Sequence, residues 1–324
     1  MRIVTRDDFT ETYAKLAQRG FGFLASKMRF RGSRRTLSAF DRTAVNVSSW
    51  WMVPQVRRRW NERITGEENT GYEDYVVMKY LGERQGLSLL SLGSGSCSHE
   101  VLFARNPVFS RVTCVDMAAH LLEKGRIRCR ESGLQNMEFL QADAHRLDIS
   151  GDSYDALLFH ASLHHFREIG KLFEERLLEI LRQDGILVLN EYVGPDRLQY
   201  TGEQLRMVNQ ALALIPEQYR TRYRMQRIKK RVTGPGILRM VLADPSEARE
   251  SSAIMDTLER YFVPLELKPY GGNILMPVLK DIAHHFVEET DESRAILERL
   301  FEMEDEYLTR ARSDFLFGVY RKKE

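Results

Sequence analysis

The sequence predicts an α/β protein built on a doubly wound, Rossmann-like, mostly parallel sheet of seven strands. A helical N-terminal segment and a helical lid insertion complete it. Three observations predict this class. Between Leu87 and Asn190, five short apolar runs alternate with amphipathic stretches, the pattern of βαβ units. The first run enters a glycine turn, and the next four end at or near Asp116, Asp143, His160 and Glu191. Two more strand-like runs, 263–268 and 315–320, follow a long helical stretch.

Residues 1–84 read as a helical cap rich in arginine and aromatics, with the cluster Trp50-Trp51-Met52-Val53-Pro54. The Rossmann-like core spans 85–195. Its strands are expected at Leu87 to Leu92, Arg111 to Val115, Met137 to Leu140, Tyr154 to Phe159 and Ile186 to Asn190. Before the fifth strand, Leu172, Phe173, Leu177, Leu178, Ile180 and Leu181 recur at helical spacing, and Gln183-Asp184-Gly185 turns the chain back. Residues 196–312 form the lid, helical except for the strand 263–268 and the Gly271-Gly272 turn. Its expected place is over the carboxyl ends of the strands, where open α/β sheets bind ligands. Residues 313–324 supply the final strand.

The chain's 324 residues suffice for a sizeable core, and a net charge of +2 does not mark a nucleic-acid partner. No run approaches the roughly 20 apolar residues of a membrane span. The N-terminus, Met1 to Asp8, lacks a signal peptide's apolar segment. Cys97, Cys114 and Cys129 have no metal-type spacing and suit a reducing compartment, so a cytoplasmic location is expected. No metal set emerges, because the histidines do not pair with acids at ligand spacing.

In Leu89-Leu90-Ser91-Leu92-Gly93-Ser94-Gly95-Ser96-Cys97 a strand runs into a glycine turn that allows close ligand approach. Asp116, past the second strand, is placed to accept a pair of ribose hydroxyls, and Asp143, past the third, to accept from an adenine amino group. Either acid alone could equally cap a helix. With Val115-Asp116, Gln141-Ala142-Asp143-Ala144, Tyr154-Asp155 and Ser162-Leu163-His164-His165-Phe166, the turn resembles the small-molecule branch of the class I methyltransferases, which depend on S-adenosylmethionine (SAM). The resemblance covers about residues 85–195. It implies that Gly93, Ser94 and Gly95 cradle the methionine part of SAM, that Asp116 holds the ribose and that Asp143 meets adenine. Met117, Ala144 and His160 join them, and Tyr72 is the one N-terminal aromatic expected at the cofactor; Trp50, Trp51 and Tyr75 read as core.

The chain departs from the family at Ser91, where an acid is usual, at Cys97, where a third glycine is usual, and at Gln183-Asp184-Gly185, where Pro-Gly-Gly is usual. A nicotinamide-binding Rossmann domain is the rival, but its fingerprint needs glycine where Ser98 stands.

Methyl transfer from a sulfonium is an in-line displacement that rewards alignment, and a hydroxyl or ammonium acceptor also needs a base. Aromatic O-methyltransferases carry a similar Leu-His pair after the fourth strand. On that resemblance His164 is the expected base, with His165 in reserve. Glu191 reads as a second base or as an anchor of the Gly194-Pro195 loop, and Tyr192 as a substrate-orienting group. His284-His285 read as structural.

Two basic clusters flank the core: Lys27, Arg29, Arg31, Arg34 and Arg35, and, in the lid, Arg220, Arg222, Arg224, Arg227, Lys229, Lys230 and Arg231, with Tyr219 and Tyr223 interleaved. They read either as a solvated helix face or as a site for an anionic acceptor, namely a phosphorylated or carboxylated metabolite or an acidic carrier protein. RNA is remote, since nucleic-acid amino-methylating enzymes carry Asn-Pro-Pro-Tyr where this chain has His160-Ala161-Ser162-Leu163. The expected function is methylation of a small acceptor, with oxygen favoured over nitrogen or carbon. A catalytically silent SAM-binding scaffold subunit is the alternative.

Overall fold

A computed structural model describes residues 1–19, 48–147 and 153–323. The first basic cluster, Lys27 to Arg35, lies outside the described residues. The chain forms two compact units, one of residues 61–193, 249–269 and 316–324, the other of residues 1–60, 194–248 and 270–315.

The first unit carries the sheet. Its strands are β1 (Leu87–Leu92), β2 (Phe109–Asp116), β3 (Met137–Gln141), β4 (Tyr154–His160), β5 (Leu181–Tyr192), β6 (Phe262–Gly271) and β7 (Phe315–Lys322), in the order β3-β2-β1-β4-β5-β7-β6. The pairings of β1 with β2 and β4, of β2 with β3, and of β4 with β5 are all parallel. Every residue of β1 is buried, as a central parallel strand covered on both faces requires. Its Leu90 and Leu92 join Leu157, Phe159, Phe173, Leu187 and Leu189 in the core. The five expected strands are present, most extended by one to several residues, and the Gln183-Asp184-Gly185 segment lies within β5.

The second unit is mainly helical, with Arg6–Arg19, Pro54–Thr65, Gly202–Leu214 and Asp291–Leu308 as its longest helices. Thr201 caps the third by accepting the Gln204 amide at 3.0 Å, and Thr290 and Ser293 form a capping box on the fourth. Trp50 packs edge-on to Trp60 with ring centroids 4.5 Å apart, while Trp51 is exposed.

The second basic cluster is not a helix face. After the short turn Glu217–Arg220, Thr221 bridges antiparallel to Ile228, and Arg224 takes φ +55°, which no helix accommodates. Arg222 is buried against Asp281 at 2.5 Å. Lys229 is buried with its Nζ donating to the carbonyls of Pro277, Val278 and Lys280, which cap a helix end. Burial pushes Lys229 down to about 7. Arg224, Arg227, Lys230 and Arg231 stay exposed. In the same unit the Ser48 hydroxyl meets His284 Nδ1 at 3.1 Å, and the Thr221 carbonyl meets His285 Nε2 at 2.9 Å.

Candidate active site

Strand order reverses between β1 and β4, so their carboxyl ends flank the crevice in which open α/β sheets take ligands. Gly93 to Gly95 leave β1 there, and Ala161 to Leu163 leave β4. The two turns are nearly in contact. Gly93 has φ +72°, and a Cβ on it would stand 2.7 Å from Cβ of Ser162. Gly95 has φ +53° but nothing within 4 Å of its Cβ position, so bare backbone faces open space. The turn thus leaves its backbone uncovered on that side. Cys97 keeps a left-handed φ of +55° with a side chain attached and fully buried.

Asp116 ties the turn together. Its Oδ2 accepts the Gly95 amide at 2.8 Å and its Oδ1 accepts the Ala118 amide at 2.7 Å. Asp143 follows β3, the neighbouring strand, and accepts the His145 amide at 3.0 Å. Between them the Met117 carbonyl takes the Gln141 side-chain amide at 3.3 Å, and Ala144 is buried. The Ser94 hydroxyl donates to the Val115 carbonyl at 3.3 Å. Ser91, where an acid was expected from the resemblance, donates at 2.6 Å to the buried Glu100, whose carboxyl burial pushes up although the Ser91 bond pulls it back.

At the end of β4, Tyr72 lies flat against His160, with 5.6 Å between centroids and 6° between planes, and its hydroxyl meets His160 Nδ1 at 2.9 Å. Burial, then the nearby His99, push His160 well below the usual imidazole range, so the ring is neutral. His99 stacks against His160 with 3.5 Å between ring centroids and is held by Glu73 at 2.5 Å through Nδ1. Glu73 and His99 escaped the sequence reading. The signals were there: Glu73 follows Tyr72, and His99 stands just past the glycine turn.

A second constellation gathers at the ends of β4 and β5. Glu191 is fully buried. Its Oε2 accepts the amides of Ser162 at 2.7 Å and Leu163 at 2.6 Å, and its Oε1 accepts the Tyr192 amide at 2.7 Å. His164 Nδ1 also hydrogen-bonds Oε1. Burial would raise the Glu191 carboxyl, but His164 and the backbone amides outweigh it and hold it below the usual carboxylate range. With the carboxylate ionised, Nδ1 is the donor and Nε2 the ring's basic atom. His165 is half-buried, its centroid 4.2 Å from that of His164, and Tyr192 meets His164 edge-on at 6.2 Å. The arrangement can accept a proton on an imidazole whose charge a fixed carboxylate balances.

Residues 90–189 match the methyltransferase domain family. The chain is 29% identical over 108 residues to the uncharacterized methyltransferase YcgJ of Bacillus subtilis (strain 168), covering 33% of this chain and 42% of the relative. It is 31% identical over 162 residues to the demethylmenaquinone methyltransferase of Clavibacter sepedonicus, covering 49% of this chain and 55% of the relative. The chain thus spans about half the length of the curated relatives it matches. Among solved structures, the cyclase SpnF superposes with a TM-score of 0.46 at 17% identity, covering 78% of this chain and 80% of that one.

Proposed function

We propose, from the premise that residues 90–189 are a methyltransferase domain of the class I SAM-dependent fold, that the chain methylates a small acceptor with His164 as general base. The observation that carries this reading is the His164–Glu191 pair, an imidazole fixed in one tautomer by a carboxylate that three backbone amides pin. SAM supplies an electrophilic methyl group on a sulfonium. Gly93, Ser94 and Gly95 hold its amino-acid end, Asp116 its ribose and Asp143 its adenine, with Met117, Ala144, His160 and Tyr72 lining the same site. His164 takes the acceptor's proton at Nε2, and Glu191 balances the imidazolium that results. His165 stands behind His164 as the reserve base, and Tyr192 orients the acceptor. A base at this place favours an oxygen acceptor, because a hydroxyl must lose its proton to become an effective nucleophile. The exposed Arg224, Arg227, Lys230 and Arg231 favour an acceptor that carries phosphate or carboxylate, free or on an acidic carrier protein.

The test is formation of S-adenosylhomocysteine across phenolic, carboxylated and phosphorylated acceptors, with wild type and His164→Gln. The variant is expected to lose about 10²- to 10⁴-fold in turnover while still binding SAM. Turnover that survives the substitution removes His164 as base. Tight SAM binding without turnover on any acceptor favours the scaffold alternative. A Michaelis constant that does not rise with salt counts against the anionic acceptor.

A further inference from the structure

We propose that the groove between the helix Gly202–Leu214 and the segment 230–233 docks an acidic helix of a carrier protein that presents the acceptor. What the partner carries rests on the acceptor reading above; the docking itself is read from the groove. The groove encloses about 690 Å³. One wall is the helix face that runs from Gly202 through Leu205 and Arg206 to Ala213, and the other holds Lys230, Arg231 and Val232. Asn209 ties the walls together: its Nδ2 donates to the Val232 carbonyl at 2.9 Å, and its Oδ1 accepts the Val232 amide at 2.8 Å. The groove is therefore a built feature of the helical unit.

Charge selects the partner. Arg206, Lys230 and Arg231 are exposed, and none of them forms an ion pair among the described residues. Other cations of the same stretch serve the fold: Arg222 is paired with Asp281, and Lys229 caps carbonyls. No acid lines the groove. Asp7, at its end, is turned on the Thr233 amide, and Glu203 on the helix is paired with Arg310. Three like charges thus face one another across an apolar floor of Leu205 and Val232, and a partner's carboxylates relieve that repulsion. Shape selects a helix. Gly202 and Ala213 stand about 17 Å apart at a helix's rise of about 1.5 Å per residue, the length of about three turns of a partner helix laid alongside. No aromatic ring lines the groove, so it lacks the stacking platform of single-stranded nucleic-acid sites. A free phosphate is disfavoured because all three cations sit on exposed side chains rather than in an enclosed pocket.

Fluorescence anisotropy of the full chain with a labelled helical peptide tests this. The peptide has about 14 residues with glutamate at every third or fourth position, and a lysine counterpart is the control. The glutamate peptide should bind, and bind about fivefold or more weakly as salt rises from about 0.05 M to about 0.3 M. Arg206→Glu, Lys230→Glu and Arg231→Glu combined should cost at least about tenfold, and the same three changed to glutamine part of that. Arg224→Glu, a reversal outside the groove, should stay within about twofold. Thermal melts report that each variant has folded. Absence of binding by wild type, equal binding of the lysine peptide, no effect of the triple reversal, or an equal loss in Arg224→Glu overturns the proposal. Full displacement by millimolar inorganic phosphate, or tighter binding of single-stranded RNA of the same length, also overturns it. The peptide titrations need no SAM, so a chain that binds the peptide but methylates no acceptor overturns the acceptor reading and leaves the docking surface standing.

Discussion

His164 Nδ1 hydrogen-bonds a carboxylate oxygen of Glu191, and Glu191 is in turn held by the amides of Ser162, Leu163 and Tyr192. One buried acid thus fixes both the turn after β4 and the imidazole on it. Glu191→Ala should leave these amides without partners and destabilise the chain by roughly 3 kcal/mol or more in a denaturant melt. Glu191→Gln should retain part of that stability yet lose about 10²-fold in turnover, because a neutral amide does not balance an imidazolium.

The Glu191 carboxyl also sets a pH limit on stability. Its folded value is depressed, so the stabilisation is fully present above the ordinary carboxylate value of about 4.3 and is lost as pH falls through the lower folded value. Unfolding midpoints of wild type and Glu191→Gln should therefore converge on acidification below about pH 4 and stay apart at neutral pH.

Gly93 and Gly95 should respond differently to alanine. Both have positive φ, but only at Gly93 does the added Cβ collide with a neighbour, 2.7 Å from Ser162 Cβ. Gly93→Ala should cost stability, about 1–3 kcal/mol. Gly95→Ala should cost only about 1 kcal/mol while weakening SAM affinity more, because its Cβ enters the open space before the turn. Thermal melts and titration of the two variants side by side distinguish these outcomes.

In the helical unit, burial pushes the Asp314 carboxyl up to about 7, against a smaller downward pull from Gln204, which donates to it at 2.7 Å. A raised acid favours folding most below its unfolded value near 3.9, and stability falls as pH rises toward the folded value. Asp314→Asn keeps an acceptor for Gln204 and removes the buried charge. It should be close to neutral at pH 4 and stabilising by about 1–3 kcal/mol at pH 8 in urea unfolding.

The sheet was legible because its strands carry their own signal: Leu87 to Leu92 is apolar enough to need cover on both faces, and the glycine turn after it marks the crevice. Asp116 was legible from its position after β2, though its grip on the Gly95 amide is a contact across 21 residues that no local pattern displays. Glu73 and His99 were missed for the same reason, since a pair separated by 26 residues has no spacing rule. The lid's basic cluster reads in sequence either as a solvated helix face or as an anion site, because exposed and buried cations look alike there. Lys229 reaches the carbonyls of Pro277, Val278 and Lys280, about 50 residues away, and only the fold reveals that it is buried.

The central claim, that the turn closed by Asp116 and Gly95 is a SAM site, is tested most directly by titrating S-adenosylhomocysteine into wild type and Asp116→Ala. Wild type should bind, and the variant, losing both the ribose acceptor and the tie to the Gly95 amide, should bind at least about tenfold more weakly. Equal binding by the two proteins would contradict the site, and no binding by wild type would contradict the cofactor.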